Sequence, residues 1–132
     1  MASTVGAGGA YFAIVFAAGF AFGTARAVLT ADAPEMRLAA VAIELPLILA
    51  VSWFACRFAV RRFAVPAHML RRAAMGALAF LLLMVAEAAL SIGFAGRTMG
   101  AHLALYGEPS HALGLVGQVV FGLLPLVQIR WL

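Results

Sequence analysis

Long apolar stretches nearly free of charge, separated by short polar breaks, dominate the chain. Residues 1–25 carry no charged side chain, and an apolar run begins near Ala10, which predicts a first span over about 9–29. A second run over about 36–58 contains one acid, Glu44, and a third over about 70–95 contains one acid, Glu87. A fourth, over about 111–131, is uncharged until Arg130. Each run matches the ~20 residues a helix needs to cross a bilayer. Between the runs stand helix stops and starts. Asp32-Ala-Pro-Glu35 reads as a capped start for span 2, Pro66 suits the first turn of span 3, and Ser110 after Gly107-Glu-Pro109 is a candidate N-cap for span 4. In the loop 97–110, Thr98 to Tyr106 predicts a short interfacial helix with Met99, Leu103 and Tyr106 on its wet-to-dry boundary.

Composition turns this pattern into a statement about solvent. Of 132 residues, 66% are hydrophobic and 11% charged, and mean hydropathy is +1.08. Soluble domains run near ~45–50% apolar and ~25% charged, so polar residues here are too few to cover a water-facing surface. A soluble enzyme, a secreted disulfide scaffold and a disordered chain are excluded. The expected fold is all-α: a single four-helix transmembrane bundle over residues 1–132, with short loops and antiparallel neighbours. The Ala25-Arg26-Ala27 segment has the small-x-small form of a signal-peptide cleavage site. No basic residue precedes the apolar run, so span 1 is read as a retained helix.

The net charge of +4 is explained by topology. Arg57, Arg61, Arg62, Arg71 and Arg72 connect spans 2 and 3, and Arg130 ends span 4; Arg26, Arg37 and Arg97 lie on the opposite side. The positive-inside bias then places the 2–3 connection and both termini in the cytoplasm. Nucleic acid is not the expected partner. The bilayer is, and the five-arginine belt is a candidate surface for anionic lipid head groups. Trp53 and Trp131 suit the inner interface. Absence of Lys and abundance of Ala look like a GC-rich genome, and a bacterial inner membrane is the expected location. The chain resembles none of the four-span families whose chemistry rests on an acid in the first span, on Asn, or on paired cysteines. Span 1 has no acid, Asn is absent, and Cys56 is alone.

Candidate chemistry sits in one layer. Helix rise places Arg26, Glu44, Glu87 and Gln118 roughly 5–13 Å below the outer surface, one from each span. Such groups are costly in hydrocarbon, so they are expected to face the bundle interior. Two carboxylates cannot share one cation equally, so one of them is expected to hold a proton. His111, Gly114, Gln118, Phe121, Pro125 and Gln128 form one stripe of span 4. Gly19, Gly23 and Gly114 are candidate helix-packing positions. Pro46 and Pro125 are candidate kinks, leaving the carbonyls of Ala42 and Phe121 without their helical partners. His102 and His111 are the only candidates for a metal, with Glu108 and Met99 nearby, and they match no firm ligand spacing. No cofactor is called for. Spans 1–2 and 3–4 echo one another faintly, as in Leu45-Pro-Leu47 and Leu124-Pro-Leu126, which would fit a parallel duplication.

Three functions remain open. The first is a non-enzymatic protein that assembles with itself or joins a larger membrane complex. The second is a small proton- or cation-coupled transporter or channel that uses Glu44 and Glu87, with Arg26 as counter-charge and Gln118 as a polar ligand. The third is a membrane enzyme acting on a lipid or quinone, for which Glu87 with His102 or His111 is the only acid/base set.

Overall fold

The computed structural model describes residues 2–130. Trp131, the last position of the fourth predicted span, lies outside them. The described chain is helical, with no strand among its residues. Its helices are α1 (Ala2–Leu29), α2 (Arg37–Arg62), α3 (Met69–Gly93), the short α4 (Met99–Ala104) and α5 (Pro109–Val127). Single 3-10 turns, Pro34–Met36, Leu105–Gly107 and Gln128–Arg130, extend α2, α4 and α5. Four of these helical segments are long and apolar enough to cross a membrane, so the chain is built as an integral membrane protein. α1 begins at Ala2, well before the predicted span start near residue 9, because nothing in the uncharged N-terminal stretch stops it.

The caps differ from those expected. Neither Ala33 nor Met36, at the entries to the Pro34 turn and to α2, makes a side-chain cap bond, and Glu108, not Ser110, occupies the N-cap of α5. Pro109 sits at the start of α5, where its fixed φ substitutes for a capping side chain. Pro66 lies in the turn before α3, which opens at Met69. Among the described residues the one side-chain N-cap is Thr98, which accepts from the Ala101 amide (3.1 Å) and starts α4.

The neighbour order departs from a simple antiparallel ring. α1 packs on α2 and α3, and α5 packs on α3 and α2. α1 and α3 run the same way, as do α2 and α5, so half the neighbouring pairs are parallel. Residues 63–68 carry the chain across the diagonal, a distance that six residues span easily at ~3.3 Å each. In this order α1 is adjacent to α3 and not diagonal to it, so the hairpins lie side by side. A two-fold along the membrane normal, as a parallel duplication would build, requires the diagonal arrangement. α2 stops in a Schellman motif: Val65 N–H donates to the Val60 carbonyl (3.0 Å) and Ala64 N–H to Arg61 (3.3 Å). Ala64 takes a left-handed φ of 50° there, a position glycine favours.

Packing is concentrated at the end that carries this turn, the start of α1 and the end of α5. Ala7, Tyr11, Cys56, Ala59, Met75 and Ala79 are fully enclosed there. Small side chains let the helices approach closely. A methyl group on Gly76 would collide with the carbonyl of Gly122, and one on Gly8 would meet Leu78 Cδ2 at 3.0 Å. Across the bundle centre Tyr11 stacks on Phe121 (centroids 4.3 Å apart, planes 25° apart). Its hydroxyl donates to the Phe121 carbonyl at 2.6 Å. That carbonyl lies four residues before Pro125 and has lost its helical donor, so Tyr11 repairs the break that the proline makes. Arg72, 2% exposed, donates from Nη1 to the Pro125 carbonyl and from Nε to the Pro66 carbonyl, both at 3.1 Å. Gln128 Nε2 donates to the Trp53 carbonyl at 2.8 Å.

Two substitutions in this half act in opposite directions. Tyr11→Phe leaves the Phe121 carbonyl unsatisfied and should lower stability by about 1–3 kcal/mol. Ala64→Gly relieves the left-handed turn and should raise it by about 1 kcal/mol. Thermal unfolding of the detergent-solubilised protein reads both. Equal melting points for wild type and Tyr11→Phe would remove the clamp from the account.

Candidate functional site

Beyond Tyr11 and Phe121 the four long helices separate around a cavity of about 980 Å³. Its floor is Val15, Ser52, Leu83 and Phe121, and it extends to the loops at the end away from the arginine belt. Phe16, Phe20, Ile48 and Leu90 give it apolar walls. Arg26, Glu44, Glu87 and Gln118, the layer read from helix rise, all line it.

The ring order decides how these groups pair. Arg26 on α1 faces the adjacent α2, and its Nη1 bonds Glu44 Oε2 in an ion pair. Both side chains keep partial access to the cavity. Glu87 on α3 faces the adjacent α5, where Gln118 Nε2 donates to its Oε1. Tyr106, from the 3-10 turn after α4, donates its hydroxyl to Glu87 Oε2 at 3.3 Å. Among the described residues Glu87 has no cation at ion-pair distance. The layer is therefore two unlike units: a neutralised pair on α1–α2 and a carboxylate held by neutral donors on α3–α5.

Tyr106 was expected on the interfacial boundary, but it turns inward. Met99 and Leu103 are more than half exposed on the other face of α4. Burial, first, and the Glu87 charge and hydrogen bond, second, push its phenol from the usual 10 up to about 12. It thus remains a protonated donor throughout the neutral range. His102, 7% exposed, stands edge-on to Tyr106 (5.5 Å, 79°) and also lines the cavity. His111 lies 3.4 Å from Glu108 at the rim. Among the described residues no three metal-ligating side chains gather.

The remaining candidates divide by burial. Gly19 and Gly23 line the cavity with only ordinary van der Waals neighbours, and Gly114 has nothing near its would-be Cβ. The close helix approaches fall instead at Gly8, Gly76, Gly117 and Gly122. At Gly117 an added methyl would collide with Leu45. Pro46 is exposed on the lipid-facing side of α2, while Pro125 is enclosed. Arg57, Arg61, Arg62 and Arg71 retain surface exposure, and Arg62 also lies over the Phe63 ring at 5.5 Å. Arg72 does not belong with them. Its guanidinium is enclosed and engaged by two carbonyls, so it cannot present to a lipid head group.

Sequence reading missed Tyr11, the inward turn of Tyr106 to Glu87 and the clamp role of Arg72. A signal for Tyr11 existed, since a hydroxyl inside a span needs an acceptor and Pro125 supplies one. No family model, curated protein or solved structure matches the chain.

Tyr106 gives a direct test of this geometry. Absorbance at 295 nm, taken as the difference between wild type and Tyr106→Phe, should show its ionisation near pH 12. Glu87→Gln should move that ionisation part of the way back toward 10, because burial, the larger cause, is unchanged. Since the raised value belongs to the folded state, the stability it carries is complete below pH 10 and is lost between 10 and 12. Titration at an ordinary pH in wild type would mean that Tyr106 does not reach Glu87.

Proposed function

We propose that this protein is a small proton- or cation-coupled transporter whose binding site is the cavity around Glu87. The observation that carries this reading is the pairing of that cavity with its floor. A space of about 980 Å³, apolar-walled with one polar layer, ends on a closed plug of Tyr11, Val15, Leu83 and Phe121. Small-ligand sites run ~300–1,000 Å³, and access from one end with closure at the other is one state of an alternating-access cycle. The arginine count supports placing the belt in the cytoplasm, so the cavity faces outward.

The roles follow from the pairs. Arg26 and Glu44 cancel within their own unit. Glu87 has only neutral donors, so a proton or another cation taken there changes the charge of the layer. The charged and titratable groups that share its cavity are Arg26, Arg37, Glu44, Arg97, His102, Tyr106 and His111. Intramembrane carboxylates with such access are typical elements of ion-coupled pathways.

Reconstituted liposomes with a pH gradient test the proposal. Glu87→Gln should abolish pH-dependent flux, and Glu44→Gln should reduce it by freeing Arg26 beside the site. Unchanged flux in both variants would end the transporter reading. A partner recovered in fixed ratio after gentle extraction, with both variants silent in flux, would favour an assembly subunit instead.

A further inference from the structure

The transporter reading leaves the ligand unnamed, but the polar atoms of the cavity narrow it. Among the described residues five buried side-chain atoms lack a hydrogen-bond partner; two of them, Gln118 Oε1 and His102 Nδ1, belong to cavity-lining residues, and a third, His111 Nδ1, lies 3.4 Å from Glu108 Oε2. A buried polar atom without a partner costs about 1–3 kcal/mol, so the first two, in one cavity, call for a bound group. His102 is more than nine-tenths buried, and its ring stands against Tyr106, the residue that bonds Glu87. Gln118 already gives its amide N–H to Glu87, which leaves its oxygen as an acceptor beside a carboxylate.

The charges agree with the acceptors. Three arginines line the cavity, but Arg26 is engaged by Glu44, Arg97 donates to Ser91 Oγ (3.2 Å), and Arg37 and Arg97 are exposed at the rim. The deep layer therefore offers an uncompensated carboxylate and free acceptors, with no free cation. Around it stand Phe16, Phe20 and Tyr106, whose ring faces attract a cation and whose bodies suit an apolar tail.

We infer that the cavity takes an amphipathic organic cation with hydrogen-bond donors, a protonated amine on an aromatic or aliphatic body, whose ammonium docks between Glu87 and Gln118. This rests on the transporter reading only in that both use the same cavity. An ammonium brings the missing positive charge to Glu87 and the missing donor to Gln118 Oε1, while its tail replaces lipid or water against the phenylalanines. A carboxylate ligand would meet the same acceptors with like charge and lone pairs.

The wild-type chain in lipid nanodiscs tests this with three probes that share one tail: 4-phenylbutylamine, 4-phenylbutanol and 4-phenylbutyrate. Equilibrium dialysis against empty nanodiscs corrects for partition into lipid. The amine should bind saturably, roughly tenfold or more tighter than the alcohol, as a charge-assisted hydrogen bond implies. Glu87→Gln should weaken the amine by a similar factor and leave the alcohol unchanged. The wild-type comparison of amine with alcohol needs no variant, so a folding defect in Glu87→Gln does not rescue the inference. Tighter binding of phenylbutyrate than of the amine, or equal binding of amine and alcohol, overturns it while leaving a transport cavity in place. Absence of saturable binding by all three overturns it as well. Combined with unaltered flux in Glu87→Gln, that absence takes the transporter reading down with it.

Discussion

The hydroxyl of Tyr11 and the carbonyl of Phe121 form the contact on which the architecture depends. Lipid offers no water to a backbone carbonyl, so a proline within a spanning helix creates an acceptor that the protein must satisfy itself. Pro125 does this at Phe121, and the donor comes from α1, across the bundle centre. The bond therefore fixes the register of α1 against α5, which lie diagonally in the ring of four. The stacked rings fill the centre at the same level. Arg72 repeats the logic one turn lower, closing the Pro125 carbonyl and tying α3 and the α2–α3 turn to α5. Polar groups here act as pins through an otherwise non-directional apolar contact.

The pins divide the bundle in two. On the arginine-rich side small residues such as Ala7, Cys56, Ala59, Gly76 and Ala79 stand among the enclosed positions, and α3 and α5 approach until only glycines fit between them at Gly76 and Gly122. Lipid does not drive helices together as water would, so close van der Waals contact has to supply the cohesion. On the other side the facing residues are Phe16, Phe20, Leu45, Ile48 and the polar layer, which hold the helices apart around open space. The tight half allows the loose half to persist, since four helices pinned at one end need not converge at the other.

The sequence announces the four spans because charge is nearly absent from them, and it places Arg26, Glu44, Glu87 and Gln118 at one level because helix rise is constant. Span order around the ring is a different matter. A helix shows which face is polar but not which helix that face meets, so the Arg26–Glu44 and Glu87–Gln118 pairing was open until the neighbours were known. Arg72 shows a similar limit. At the edge of an apolar run, an arginine that faces water and one that turns inward to a carbonyl contribute equally to a charge count. The glycines show a third. Gly19 and Gly23 have the small-xxx-small spacing of a packing motif, yet the motif specifies only that something can approach, and here a cavity does. Tyr106 was placed on the interfacial boundary with Met99 and Leu103, but its direction depends on the turn after α4, which no periodicity encodes.

The division into halves also bears on how a ligand would move. A group docked at Glu87 sits above the Tyr11–Phe121 stack, and any passage toward the arginine-rich end has to part those rings. Parting them breaks the Tyr11 hydrogen bond and returns the Phe121 carbonyl to its unsatisfied state. The barrier thus combines lost stacking with an orphaned carbonyl in a low-dielectric interior, about 1–3 kcal/mol for the carbonyl alone. That is a cost thermal motion can meet, whereas separating α3 from α5 at Gly76 and Gly122 would undo the whole contact. Movement of α1 would part the rings without touching the Gly76–Gly122 contact, at the cost of its own close contact with α3 at Gly8. It also carries Arg26 with it, since Arg26 lies on the same helix as Tyr11. The ion pair with Glu44 and the central clamp thus share one helix.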